Sequence, residues 1–278
     1  SPDPNLILNL PLETTYVEPM GVSERRAQAL SPNLNLSYEA PTHVVRGEGS
    51  YLFDVLGRRY LDCVNNIAHV GHEHPQVVGA GQRQMGILNT NSRYLHGAVV
   101  EYAERLSELL PPPLSVCLFV NSGSEANELA LRMARIYTGG TGVTVLEGGY
   151  HGNTQGLIDV SHYKFTGSGG DGSPPWVRAA LVPDEFRGRY RRDEPARATL
   201  YAADVGDAFE QLDAQGYPPA AFLSESLLSC AGQIEPPQGY LTAAYEHARA
   251  AGAVCIADEV QVGLGRVGSH MWGFETQG

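Results

Sequence analysis

From residue 116 onward, short apolar runs alternate with longer stretches of helical periodicity. The apolar runs lie at 116–120, 143–146, 220–224 and 253–257. Such an alternation is typical of a parallel sheet whose faces are covered by helices. The pattern therefore predicts an α/β fold, with a three-layer, mostly parallel sheet.

The first part of the chain has a different pattern. Residues 1–20 show no clear period and are expected to form an extended arm, followed by a short helix from Ser23 to Leu30. Residues 43–64 contain three strand-like runs separated by turn signals, which predicts a small antiparallel meander. Two amphipathic helices are expected over 76–88 and 98–110.

Composition and charge exclude several classes of function. Lys and Arg total 19 against 31 Asp and Glu, a formal charge of -12, so the chain offers no basic surface to nucleic acid or an anionic membrane. The first residues do not follow the pattern of a signal peptide, and no apolar run reaches about 20 residues. Its four cysteines form no C-x-x-C pair, and His69, His72 and His74 lie in a segment broken by turn residues. We expect a cytoplasmic protein without a membrane span or a metal site.

Each predicted strand ends abruptly in small or polar residues. The four segments that follow the strands are 121–126, 148–152, 225–226 and 258–261. Ligands of open α/β sheets bind outside the carboxyl ends of the strands. The four segments therefore predict one shared pocket.

The residue types in this pocket leave two interpretations open at each position. Ser122 and Glu125 have the spacing of a helix capping box, but the small residues there also let backbone amides approach a phosphate. Tyr150 can stack on a planar ring or cover the sheet edge. The buried carboxylate of Asp258 needs a partner, either loop amides or a protonated ring nitrogen, and Gln261 could reach a neighbouring ring oxygen.

The combination of these motifs resembles the class III, fold-type I family of pyridoxal-phosphate enzymes. The motifs are SGSEAN at 122–127, YHG at 150–152, the strand-end Glu225, and IADEVQVGLGR at 256–266. The resemblance runs from about residue 23 to residue 278. It implies pyridoxal 5'-phosphate as the cofactor, whose phosphate would bind Gly123 and Ser124 and whose ring would lie between Tyr150 and Val260. The ring nitrogen would bind Asp258, and the ring hydroxyl would bind Gln261. His151 and Glu225 would complete the site.

The resemblance also implies a domain organisation and a homodimer with sites at the subunit interface. Residues 1–70 would form an N-terminal arm and part of a small domain, and residues 71–278 a large cofactor-binding domain. The family forms a Schiff base through a lysine some tens of residues beyond DEVQ. The only lysine of this chain, Lys164, is elsewhere and is interpreted as a surface residue. We therefore expect a longer protein whose remainder supplies the catalytic lysine and a C-terminal small domain.

Within the family, three stretches resemble ethanolamine-phosphate phospho-lyase and its phosphohydroxylysine relative: 61–75, 88–97 and 224–241. The resemblance implies that phosphate is eliminated from a small phosphorylated amine such as phosphoethanolamine, giving acetaldehyde and ammonia. Asn65, Asn66 and Arg93 are candidate donors to the substrate phosphate, although the asparagines could shape a turn and Arg93 could pair with an acid.

Two other functions remain open. Most family members are ω-aminotransferases, which usually carry Glu-Pro where this chain has Glu225-Ser226. A non-catalytic domain that retains the cofactor pocket is the third hypothesis.

Overall fold

The computed structural model describes residues 21–31, 33, 34, 36, 38–63 and 69–278. The extended arm predicted for residues 1–20 lies outside them. The chain divides into two compact units, Ser1–Thr90 and Asn91–Gly278. The assignment of residues 1–70 to a small domain and 71–278 to a large domain stays a prediction.

The first unit contains the predicted meander between two helices. Its elements are α1 (Val22–Ala29), β1 (Val44–Glu48), β2 (Tyr51–Asp54), β3 (Arg59–Leu61) and α2 (Pro75–Met85). The strands pair antiparallel in the order β1-β2-β3, as the turn signals indicate.

The second unit is an α/β fold around a parallel sheet. Its elements are α3 (Gly97–Ser107), α4 (Gly123–Thr138), β4 (Gly142–Leu146), α5 (Gln155–Ile158), α6 (His162–Phe165), β5 (Val177–Ala180), α7 (Arg197–Ala214), β6 (Pro219–Glu225), α8 (Tyr240–Ala250), β7 (Val254–Asp258) and a 3-10 helix (Gly273–Gln277). The four strands pair parallel in the order β5-β4-β6-β7. The strands predicted at 143–146, 220–224 and 253–257 are confirmed as β4, β6 and β7. The sequence pattern missed β5, α7 and α8.

The strand predicted at 116–120 is wrong. These residues form no regular element and pair with none of the described strands. Val116 is 84% exposed, while Phe119 stacks on Tyr102 of α3 with ring centroids 5.0 Å apart. An apolar run shows that a segment suits burial, but a strand also needs a neighbouring edge that accepts its hydrogen bonds.

Side chains of β6 alternate between the two faces of the sheet. Phe222 packs into a core with α7 and α8, whereas Leu223 packs into a second core with Leu131 of α4. A parallel strand covered on both faces is apolar throughout rather than alternating, which is why β4 and β6 appear in the sequence as unbroken runs.

Helix α4 has two candidate apolar faces. Leu129, Met133 and Ile136 have the spacing of one face, but Met133 is 50% and Ile136 77% exposed. The buried face instead carries Leu131 and Ala134. Both stripes have the spacing of one helical face, so periodicity alone could not choose between them.

The described residues contain neither a helix long and apolar enough to cross a membrane nor a group of three or more His, Cys, Asp or Glu able to hold a metal ion.

Candidate functional site

The carboxyl ends of three strands and the start of α4 form the candidate site. β6 and β7 are paired in register up to Glu225 and Asp258, and β4 lies on the other side of β6. The loop after β4 carries Tyr150 and His151, and contacts join it to Asp258, to Glu225 and to α4. The structure therefore brings together the segments at 121–126, 148–152, 225–226 and 258–261.

Asp258 is buried at the end of β7 and accepts three hydrogen bonds. Its Oδ2 accepts from Asn127 Nδ2 at 2.8 Å and from His151 Nδ1 at 2.9 Å, and its Oδ1 accepts from the Val260 amide at 3.1 Å. An ionised carboxylate only accepts, so His151 donates through Nδ1. These donors stabilise the charged form of a carboxylate that would otherwise be costly to bury.

Asn127 was missed by the sequence analysis. It lies on the buried face of α4, where its Nδ2 donates both to Asp258 and to the backbone carbonyl of His151 at 2.9 Å. One amide therefore ties α4 to the loop after β4 and to the end of β7. The signal was present as a polar residue on the sheet-facing stripe of a helix, where an unpaired amide would be unfavourable.

The N-terminus of α4 confirms the capping interpretation with one difference. Ser122 Oγ accepts from the Glu125 amide at 3.1 Å, but Glu125 reaches back to the amide of Asn121 at 2.7 Å rather than to that of Ser122. The cap leaves the amides of Gly123 and Ser124 in the first turn, where helical amides have no partner within the helix.

Gly123 stands against Val260 in the loop after β7. A Cβ at residue 123 would lie 2.6 Å from Val260 Cγ2, so only glycine fits without a shift. On the other side, Ser124 Oγ accepts from the Asn153 amide at 3.2 Å. The start of α4 is thereby enclosed by the loops that follow β4 and β7.

Glu225 fixes the loop after β4. Its Oε1 accepts from the Tyr150 amide at 3.1 Å, and its Oε2 accepts from the Ser229 amide at 2.9 Å and from Ser229 Oγ at 2.6 Å. Both oxygens of this buried carboxylate have protein donors, which favours a structural role for it.

Tyr150 lies beside two residues of α6. Its ring meets that of Tyr163 edge to face, with centroids 6.3 Å apart, and the Lys164 ammonium is 5.6 Å from its centroid. Burial, and to a smaller extent Cys230, raise the pKa of the Tyr150 hydroxyl, so it stays protonated at neutral pH. Lys164 is partly exposed, and its side chain lies against these rings.

The remaining candidates are less enclosed. Gln261 is half-buried in the turn after β7. Arg93 is exposed, and its amide and Nε lie 3.0 and 3.2 Å from Asn91 Oδ1, an amide oxygen rather than an acid. Asn65 and Asn66 lie outside the described residues.

Comparison with known proteins finds relatives of two activities. The chain is 50% identical over 256 residues to a Drosophila melanogaster protein named alanine–glyoxylate aminotransferase 2-like, covering 91% of this chain and 52% of that protein. It is 40% identical to the mitochondrial alanine–glyoxylate aminotransferase 2 of Homo sapiens, covering 92% of this chain and 53% of the relative. It is 36% identical to ethanolamine-phosphate phospho-lyase homolog 1 of Caenorhabditis elegans, covering 90% of this chain and 56% of that protein. The chain thus spans about half the length of the curated relatives it matches.

Solved structures give the same picture. A phospholyase from Arthrobacter in complex with phosphoethanolamine matches with a TM-score of 0.83 and 41% identity, over 91% of this chain and 59% of the other. A second match is the taurine:2-oxoglutarate aminotransferase of Bifidobacterium kashiwanohense, in complex with PLP and glutamate. Its TM-score is 0.78 and its identity 26%, over 94% of this chain and 60% of the other.

The family model of class-III aminotransferases matches residues 35–278, nearly the whole chain. The cofactor of this family is pyridoxal 5'-phosphate, as the resemblance of the SGSEAN, YHG and DEVQ segments implies. The fold, the enclosed start of α4 and the buried strand-end carboxylate agree with that match. The chain belongs to the class-III aminotransferase family.

Proposed function

We propose that the protein carrying this chain is a pyridoxal-phosphate phospho-lyase. It would convert a small phosphorylated amine such as phosphoethanolamine, together with water, into acetaldehyde, ammonia and phosphate. The observation that carries the proposal is the 41% identity to a phospholyase solved with phosphoethanolamine, whereas seven transaminase structures of the same fold share 25–28%.

The charges around Asp258 fit the cofactor. Among the described residues, no lysine or arginine pairs with this buried carboxylate, and its one ionisable donor is His151. A carboxylate without a lysine or arginine partner is available to hold a protonated ring nitrogen. Bound pyridoxal phosphate supplies an electron sink through that protonated ring. Asn127 and His151 would keep the carboxylate correctly oriented.

The other candidate residues would surround the cofactor on several sides. The amides of Gly123 and Ser124 would bind its phosphate at the helix N-terminus. Tyr150 and Val260 would pack on opposite faces of the ring, and Gln261 would meet its hydroxyl. Asn65, Asn66 and Arg93 are proposed to bind the substrate phosphate.

Phosphate release by the full-length holoenzyme tests the proposal. With phosphoethanolamine and no keto acid, we expect equal amounts of phosphate and acetaldehyde. A matched reaction with ethanolamine should release no acetaldehyde, because its hydroxide is a far poorer leaving group than phosphate. Absence of phosphate release from phosphoethanolamine would contradict the proposal.

A class III ω-aminotransferase is the second candidate. It is favoured by the two aminotransferase relatives that are 50% and 40% identical. This activity requires an acceptor, so amine transfer to glyoxylate or pyruvate without phosphate release would establish it in place of the lyase.

The contact between Gly123 and Val260 yields a test of the proposed phosphate cradle. Gly123→Ala is expected to weaken cofactor binding about tenfold or more, because overpacking costs about 1–3 kcal/mol. Val260→Ala removes both methyls that the new Cβ would meet, at 2.6 and 3.1 Å, so the double variant should regain part of the loss. Cofactor dissociation constants from absorbance titration measure the coupling.

Gly81→Ala is the matched control for Gly123→Ala, because a Cβ there meets nothing within 4 Å. Equal cofactor affinity in Gly123→Ala and the parent protein would contradict the close fit at this turn.

We also propose a homodimer located in the cytoplasm. The four free cysteines, Cys63, Cys117, Cys230 and Cys255, suit a reducing compartment, and the family resemblance supports the dimer. Light scattering on the full-length protein and cell fractionation measure the two properties.

A further inference from the structure

Helix α6 holds Lys164 at a fixed place beside the loop after β4. His162 Nδ1 accepts from the Gly148 amide at 2.9 Å, and the Tyr163 amide donates to the Gly149 carbonyl at 3.0 Å. These two bonds come from the residues directly before Lys164, and they attach to the residues directly before Tyr150. The lysine is therefore positioned by the same loop that carries the candidate stacking residue.

The Lys164 ammonium is bounded by aromatic rings and has no carboxylate partner in the described part of the chain. It lies 5.6 Å from the ring centroid of Tyr150 and 5.9 Å from that of Tyr163. By contrast, Arg58, Arg187 and Arg197 each form an ion pair. Aromatic faces attract a cation but leave its three N–H donors without strong acceptors.

The charge of Lys164 also reaches the end of β6. Burial and the charge of Glu225 raise the pKa of the Cys230 thiol, and the ammonium of Lys164 lowers it in part. Glu225 forms no direct ion pair with the lysine in the described part of the chain, and both of its oxygens accept hydrogen bonds from Tyr150 and Ser229. The ammonium thus has no directly bonded carboxylate at this end of the sheet.

We infer that Lys164 is a receptor for the phosphate group of the substrate, an inference that rests on the proposed function. A cofactor ring stacked on Tyr150 would place a bound amine beside this tyrosine. The amine nitrogen and phosphorus of a two-carbon phosphorylated amine are about 5 Å apart, from ordinary bond lengths. With the amine beside Tyr150, its far end would lie in the neighbourhood of the Lys164 ammonium, which is 5.6 Å from the centre of the tyrosine ring. A phosphate at the far end of the substrate would give the ammonium an anionic acceptor, which no described carboxylate provides by direct contact.

Three ligands of one length separate the possible roles of Lys164. The probes are 2-aminoethylphosphonate, whose C–P bond prevents loss of phosphate, β-alanine, which has a carboxylate in its place, and ethanolamine, which has a neutral hydroxyl there. Their dissociation constants are measured by calorimetry on the full-length holoenzyme. Lys164→Met is expected to weaken phosphonate binding about tenfold or more, the usual size of a charged hydrogen bond, and ethanolamine binding less than about twofold.

Two further variants serve as controls. Lys164→Arg keeps the charge and should bind the phosphonate within about threefold of the parent protein. Arg189→Met removes an exposed cation that lies 5.5 Å from the Tyr190 ring, and should change none of the affinities. Cofactor absorbance and the melting temperature verify that each variant is folded and loaded.

Several outcomes would overturn the inference. Unchanged phosphonate binding in Lys164→Met would do so, as would an equal loss for all three ligands, which would show that the lysine only positions Tyr150. A loss of affinity confined to β-alanine would show that Lys164 binds a carboxylate instead of a phosphate. Failure of Lys164→Arg to retain phosphonate binding would show that the positive charge is not what matters. If the parent enzyme releases no phosphate from phosphoethanolamine, the proposed function fails, while the phosphonate affinities still decide the role of Lys164.

Discussion

Asp258→Asn is expected to abolish turnover, with a loss of about 10³-fold or more, while the fold is retained. The carboxylate accepts hydrogen bonds from Asn127, His151 and the Val260 amide, so the protein already holds it in a fixed orientation. An amide at this position cannot hold a protonated ring nitrogen, and its NH2 would face donors. Breaking a buried ion pair costs about 3–5 kcal/mol, which corresponds to this loss of rate.

Steady-state kinetics of the full-length holoenzyme measure the loss, and circular dichroism checks the fold. Asp213→Asn is the matched control, because Asp213 is exposed on α7. Near-normal activity in Asp258→Asn would show that the ring nitrogen is held by another residue.

The strand-end candidates could be predicted because the change of residue type is local in sequence. Tyr150, Glu225 and Asp258 each follow an apolar run closely, and parallel strands place such positions at one edge of a sheet. The sequence therefore predicted that they would lie close together. It could not predict the pairing of Glu225 with the Tyr150 amide, since that depends on how the loop after β4 returns over the sheet.

Asn127 and Lys164 could not be placed from sequence for a different reason. Both are helical, and their significance depends on which face of the helix meets the sheet or the loop. The spacing of α4 allowed two apolar faces, and only tertiary packing selected the one that contains Asn127 and Leu131. The strand predicted at 116–120 fails for the same kind of reason, because pairing is a property of two segments.

Removing the Glu225 carboxylate is expected to give the largest loss of stability among these changes. Glu225→Ala leaves the amides of Tyr150 and Ser229 without their acceptor in a partly buried position. Each unsatisfied donor costs about 1–3 kcal/mol, so we expect about 2–6 kcal/mol in total. Since about 1 kcal/mol corresponds to about 2–4 °C in a domain of this size, the melting temperature should fall by roughly 4–24 °C.

The apo- and holoenzyme forms separate the two roles of Glu225. If the carboxylate holds the loop of Tyr150 to the turn at Ser229, Glu225→Ala lowers the melting temperature of both forms. If it acts only by touching the cofactor, the loss is confined to the holoenzyme. Glu225→Gln retains one acceptor, so its melting temperature should lie between those of the parent protein and Glu225→Ala. Glu210→Ala changes an exposed residue of α7 and should shift the free energy of unfolding by no more than about 0.5 kcal/mol. If the apoenzyme of Glu225→Ala is as stable as the parent apoenzyme, the structural role is contradicted, because the two partly buried amides must then have other acceptors.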